Sequence, residues 1–379
     1  MSSHTSQPVK VLSLDGCVIC GIPTLLILEK IMEDIKVAEG LSEVPKPCDK
    51  FDLIGGINMG GIIALMLGPL RMTVDQCIRA YRELIEVAFT PKRRRFFPAS
   101  PSSAFSAKKL EHAIKKIVRE YCTMPSCMEH RQAGNSTTDF CQHENQELHD
   151  DPYTKTVVLA MAKSSFKTKP TLFTTYSHSP GLSGSKIWEV ARATSAAAPF
   201  FKSIKVGRDE AEFIDTRYSY NNPCKVLIEE AARKFPGQGM IVLSIGAGLR
   251  DIVDIKVKQR PVREALEKMA TSSKATASRL RIMYGTTGGY YRFNIENSTQ
   301  DITPSAQNET STMLACINNY LTENRDEVER FIEVMTNPNN TPHHLAQQQG
   351  SLGHSAVHEL GLEHRLVSQH AITYAELEA

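Results

Sequence analysis

Gly56-Ile57-Asn58-Met59-Gly60 lies between two apolar runs, residues 51–54 and 62–67. The first run is short and ends on glycine, which predicts a buried strand. The second is almost wholly apolar and predicts a buried helix, and the glycines between them predict a tight turn over residues 55–61. The same pattern opens the chain. Residues 9–14 read as a strand and 15–21 as a turn. A helix beginning near Pro23 then carries Leu25, Leu28, Ile31, Met32 and Ile35 on one face.

Further strands are expected at residues 156–161, 171–176, 213–214 and 240–244, interleaved with helices at 186–194 and 224–234. Alternation of this kind predicts an α/β domain in three layers, with a mainly parallel central sheet covered by helices. In such folds the site forms outside the carboxyl ends of the strands. Both glycine-rich turns fall there.

Composition narrows the function classes. With 379 residues the chain is long enough to bury a large core. Lys and Arg number 44 against 42 Asp and Glu, and a net charge of +2 is too balanced to draw the whole molecule to nucleic acid. No apolar run approaches the roughly 20 residues of a membrane span, and residues 1–8 are polar without the pattern of a secretory signal. Nine scattered cysteines suit a reducing compartment. A cytoplasmic protein is expected.

The chain divides into an N-terminal tail (residues 1–8), a main domain (9–301) with a polar insertion at about 124–151, and a C-terminal extension (302–379). In the extension, Val328, Phe331, Ile332 and Met335 mark an amphipathic helix, and residues 337–354 have the Pro, Asn, Gln and His-rich composition of disordered chain.

Three motifs give the chain its chemistry. The first turn reads Asp15-Gly16-Cys17-Val18-Ile19-Cys20-Gly21, the second is the Gly56 to Gly60 stretch, and an Asp215-Thr216 pair follows. Together they resemble the patatin-like phospholipase family, whose members carry a glycine-rich oxyanion turn, a Gly-x-Ser-x-Gly nucleophile elbow and an Asp-Gly pair. Ala193-Thr194-Ser195-Ala196-Ala197-Ala198-Pro199-Phe200-Phe201, Asn221-Asn222-Pro223, Ser244-Ile245-Gly246 and Tyr291-Arg292-Phe293 look like landmarks of the same family. The resemblance runs from residue 9 to about 295. It implies a three-layer patatin-like fold and a Ser-Asp dyad that hydrolyses acyl esters of membrane lipids; no calcium-loop pattern of Asp and Asn at alternating positions appears, so no metal or cofactor is expected.

At each motif the chain departs from the pattern. Asn58 stands at the nucleophile position, where asparagine tolerates the strained backbone of an elbow but has no hydroxyl to attack an ester. By analogy with serine proteases, such a loss costs on the order of 10⁶ in turnover. In the oxyanion turn, between Gly16 and Gly21, Cys17 and Val18 replace glycines and Cys20 replaces an arginine; losing one oxyanion donor costs about 10² to 10³ in rate. Asp215 is retained, but Thr216 and Arg217 follow it where the family has glycine and a small residue, so Asp215 reads as vestigial. The expectation is a pseudoenzyme, inactive or severely impaired as a lipid acyl hydrolase, with an acyl-shaped pocket and a lipid-binding or regulatory role. Two alternatives stand beside it: an active hydrolase using Cys20 or Cys17 as a substitute nucleophile, and a protein-interaction module whose C-terminal tail recruits partners.

Other signals carry less. Arg93, Arg94 and Arg95 precede two phenylalanines, a composition suited to docking on anionic membrane phospholipids. Cys17 and Cys20 form a Cys-x-x-Cys outside any thioredoxin-like context. Cys122, Cys127, His130, Cys141, His143 and His149 fall in the insertion, but their spacing matches no standard zinc finger, so they are read as solvated loop residues and no metal is assigned. Trp188 is expected in the core, and Gly246 and Gly248 in a strand-end turn.

Overall fold

Strands buried on both faces read as nearly continuous apolar runs, and the inner strands of this chain's sheet do so. The computed structural model describes residues 7–16, 21–90, 103–150, 152, 154–165, 169–177, 180–215, 220–248, 260–285, 288–295 and 307–337. Strand β1 (Val9–Leu14) pairs in parallel with β2 (Leu53–Ile57) on one side and with β7 (Met240–Ile245) on the other. Beyond β2 come β3 (Lys155–Ala160), parallel, and β4 (Thr171–Thr174), antiparallel; beyond β7 comes β8 (Tyr290–Phe293), parallel. The sheet order is therefore β4-β3-β2-β1-β7-β8, and β5 (Ile204–Val206) and β6 (Ala211–Phe213) form a separate hairpin.

Alternation along the strands divides the core. Val9, Val11, Leu53, Ile57, Val157 and Leu159 face α7 (Cys224–Lys234) and the end of α8 (Arg260–Tyr284). Leu12, Leu14 and Ile54 face the opposite layer. That layer contains α1 (Gly21–Glu39), α2 (Asn58–Leu67), α3 (Val74–Ala88), α4 (Ala107–Glu120) and α6 (Ile187–Thr194), while the short α5 (Pro125–Gln132) follows α4. The expected three-layer α/β architecture is the one observed.

Helices α3 and α4 lie outside the expected set, yet their local chemistry is plain. Thr73 and Gln76 close a reciprocal capping box on α3, whose Cys77, Ile78, Tyr81, Leu84 and Ile85 form the buried stripe. Ser106 caps α4 through the Lys109 N–H, and Leu110, Ala113, Ile114, Ile117 and Val118 are buried. At the C-terminal end, α9 (Gln307–Glu323) precedes α10 (Arg325–Thr336), the helix expected from Val328, Phe331, Ile332 and Met335. Phe331 is fully buried, edge-on to Tyr291 at 5.2 Å between ring centroids, so α10 shares the main core. Residues 338–379 lie outside the described residues.

Trp188 packs against the main core from its edge, half-buried, with its indole N–H donating to Asn145 Oδ1 at 3.0 Å and the Lys115 ammonium 4.2 Å from its ring. One expectation is corrected. The turn expected over residues 55–61 has no residue of its own: Gly55, Gly56 and Ile57 belong to β2, and α2 starts at the next residue, Asn58. The Leu14↔Gly56 register then sets the turn after β1 beside the turn after β2.

Candidate active site

The elbow takes its shape from close packing. Ile57 is extended (φ −134°, ψ 154°), and Asn58 turns the chain in the left-handed region at φ 52°. Side chains with a β-carbon resist that conformation by about 1–2 kcal/mol, asparagine least among them. A β-carbon on Gly56 would come within 2.3 Å of the Gly60 carbonyl oxygen, and one on Gly60 within 2.4 Å of the Asp15 carbonyl oxygen. Both glycines are required by the contact of the first turn of α2 with the ends of β1 and β2, whatever residue stands between them.

Asn58 is held by its backbone. Its N–H donates to Thr194 Oγ1 at 2.8 Å, and the Thr194 hydroxyl donates to the Leu159 carbonyl at 2.6 Å. Its side chain is buried, and among the described residues neither amide atom has a hydrogen-bond partner. The same holds for the Asn221 carboxamide. The two meet at Gly16: a β-carbon there would lie 2.4 Å from Asn221 Oδ1 and 2.9 Å from Asn58 Nδ2. Gly16 itself donates its N–H to the Asn221 carbonyl at 2.6 Å. Two carboxamides without partners among the described residues thus flank Gly16, and a buried polar group left unpaired costs about 1–3 kcal/mol.

The next residue back, Asp15, is a buried carboxylate gripped by Arg292. Arg292 Nη1 donates to Asp15 Oδ1 at 3.1 Å and Nη2 to Oδ2 at 2.6 Å, and the guanidinium also reaches Ser244 Oγ and Ser273 Oγ. Burial is the largest single influence and would lower the guanidinium pKa, but the charge and hydrogen bonds of Asp15, together with Tyr290 and Cys224, outweigh it and hold the value above its ordinary range. This bidentate pair ties the end of β1 to β8.

Asp215 is buried and threaded against the segment that holds Asn58. Its N–H donates to the Ala196 carbonyl and its carbonyl accepts from the Ala198 N–H, both at 2.8 Å. Residues 194–198 therefore carry Asn58 at one end and Asp215 at the other. Gly21 opens α1, donating its N–H to Tyr81 Oη at 3.2 Å. Cys17, Val18, Cys20, Thr216, Arg217 and the basic run Arg93, Arg94, Arg95 lie outside the described residues. Cys224, near the Asp15–Arg292 pair, is fully buried, and burial pushes its thiol up to about 12.

Residues 12–228, more than half of the chain, match the patatin-like phospholipase family. The chain belongs to that family. It is 25% identical over 252 residues to calcium-independent phospholipase A2-gamma of Rattus norvegicus, an alignment covering 63% of this chain and 28% of that protein. It is 24% identical over 286 residues to phospholipase A I of Arabidopsis thaliana, covering 64% of this chain and 21% of that one. The chain therefore spans about a quarter of the length of these phospholipases. A third relative, from Arabidopsis thaliana and called "Probable inactive patatin-like protein 9", is 24% identical over 267 residues, covering 64% of this chain and 62% of its own.

The described parts of the site bring the sequence landmarks of the family together around Asn58 and Asp15. Thr194, Asn221 and Arg292 were visible in the sequence only as landmarks without roles; here they cap the elbow, flank Gly16 and hold Asp15. The available signal was the buried carboxylate: an aspartate at the end of an apolar strand requires a cation. A cleft of about 600 Å³ beside Arg292, lined by Ser273, Lys274, Arg281, Asn294 and Glu327 among others, is polar and does not reach Asn58 or Asp215. It is not the acyl-shaped pocket expected from the sequence.

Proposed function

We propose that this chain is a patatin-like phospholipase homologue without effective hydrolytic turnover, which keeps acyl-lipid binding or a regulatory role. The observation that carries the reading is Asn58, a carboxamide on the left-handed elbow residue where the reaction needs a hydroxyl. A carboxamide nitrogen is neither basic nor nucleophilic at neutral pH. This one also lies beside Gly16, close to where an ester would have to approach the oxyanion turn. Asp215 then has no serine to deprotonate. The substitutions Cys17, Val18 and Cys20 act on the same transition state. A relative whose name calls that protein inactive is consistent with the reading.

Lipid contact, cytoplasmic location and peripheral docking through Arg93, Arg94 and Arg95 belong to the same proposal. No helix among the described residues is long and apolar enough to cross a membrane.

Hydrolysis of a short-chain nitrophenyl ester and of phospholipid vesicles tests the proposal. The chain is run beside a variant carrying Asn58→Ser, Cys17→Gly, Val18→Gly, Cys20→Arg and Thr216→Gly. Background turnover by the chain and measurable turnover by the variant are expected. Substantial turnover by the chain itself, whether or not thiol alkylation abolishes it, overturns the proposal.

A further inference from the structure

The insertion expected to be solvated loop has a buried centre. Cys122, Cys127 and Cys141 are each no more than 3% exposed and pack on one another, with His143 beside them. The imidazole Nδ1 of His143 lies 3.5 Å from the sulfur of each of the three cysteines, and the four atoms fall within 4.8 Å of one another. His130 and His149 stand apart: His130 stacks on Phe140, and His149 Nδ1 faces the Glu147 carbonyl.

Hydrogen bonding does not account for this arrangement. One imidazole nitrogen offers either a single lone pair or a single proton, so it can serve one thiol and not three. A cation accounts for it directly. With metal–sulfur bonds near 2.3 Å and metal–nitrogen bonds of about 2.0–2.1 Å, the sulfur-to-nitrogen edge of a tetrahedron is about 3.5 Å. That is the separation found three times over. The geometry points to a structural zinc site with Cys122, Cys127, Cys141 and His143 as its ligands.

Three soft sulfurs and one imidazole in a tetrahedral set select zinc over the hard oxygen-seeking cations. Four protein ligands leave no position for water or substrate, which makes the site structural and not catalytic. The surrounding backbone suits thiolates: the His143 N–H faces the Cys141 sulfur at 3.3 Å, and the Met124 N–H faces the Cys122 sulfur.

The insertion has little else to hold it. Apart from Cys127 and Cys141, Leu148 is the buried apolar side chain of residues 124–150, while Met124, Met128 and Phe140 are exposed. A segment this poor in apolar burial needs a cross-link or a metal to stay folded. Its ligands come from the chain just after α4, from α5 and from the loop beyond it. That loop is tied to α6 through Gln146 O and Ile187 N–H, Leu148 N–H and Ser185 O, and the indole of Trp188 on Asn145. The metal thus clamps the insertion to the helix whose last residue, Thr194, caps the elbow. The site is independent of whether the elbow turns over substrate.

The full chain, free of any histidine tag and expressed with zinc supplied, is assayed by elemental analysis. About one tightly held zinc per chain is expected, released when a mercurial reagent titrates the thiols. Exchange with cobalt should give the intense visible bands and sulfur-to-cobalt charge transfer of a tetrahedral thiolate site. Cys127→Ser and Cys141→Ser should lose the zinc, and Cys316→Ser should keep it. Chelation at elevated temperature should lower the thermal midpoint of the chain. Chain without zinc and without the cobalt spectrum overturns the site, and this result needs no variant to fold. A disulfide among the three cysteines in freshly purified reduced-buffer protein, or full zinc retention in Cys127→Ser, overturns it equally.

Discussion

The elbow at Asn58 and the cluster at His143 are opposites. The elbow carries a motif legible in the sequence, and its central side chain, Asn58, has no hydrogen-bond partner among the described residues. The cluster carries no recognised spacing, and its donor atoms converge on one point. The lesson concerns what packing preserves. Gly56 and Gly60 are required because a β-carbon on either would come within 2.3 or 2.4 Å of a backbone oxygen whatever residue stands at position 58, so the glycine frame carries no information about that residue. Ligand atoms are held together by distance, and chain spacing is only one way of arranging that.

The contrast is most open to attack at Arg292. Arg292→Met leaves the Asp15 carboxylate buried beside Ser273 without its cation, and about 3–5 kcal/mol of stability should be lost in urea denaturation. A loss under about 1 kcal/mol would mean that the end of β1 does not depend on this pair, and the frame would not be the rigid half of the comparison. Thr194→Val should cost less, about 1–3 kcal/mol, by stripping the acceptor from the buried Asn58 N–H. If amide exchange at Asn58 stayed slow in that variant, the elbow would have another anchor.

The smallest effect is the sharpest test. Asn58→Gly suits φ 52° and removes an unsatisfied carboxamide, so stability should hold or rise by about 1 kcal/mol. A loss larger than that would show that the carboxamide is doing something stabilising, and the two regions would no longer be opposites.

Much of the fold was open to a reader of the sequence because buried parallel strands and amphipathic helices carry their own periodicity. Strand β1 and helix α7 were expected at the limits observed. Strand β2 was placed two to three residues early because Gly55 and Gly56 look like a turn. They are strand residues whose missing side chains make room for Leu227 and Gly60. Helices α3 and α4 lie outside the expected set although Thr73, Gln76 and Ser106 cap them and their buried faces keep helical spacing. Trp188 keeps its expected contact with the core, while its polar partners, Asn145 and Lys115, come from other parts of the chain.

The sequence by itself determined the α/β class, the family frame and the absence of a hydroxyl at position 58, because each is a property of neighbouring residues or of residue identity. Tertiary structure alone decided the left-handed turn at Asn58, the grip of Arg292 on an aspartate 277 residues away, and the meeting of three sulfurs on one imidazole. Those depend on distances across the fold, and no local pattern of residues encodes them.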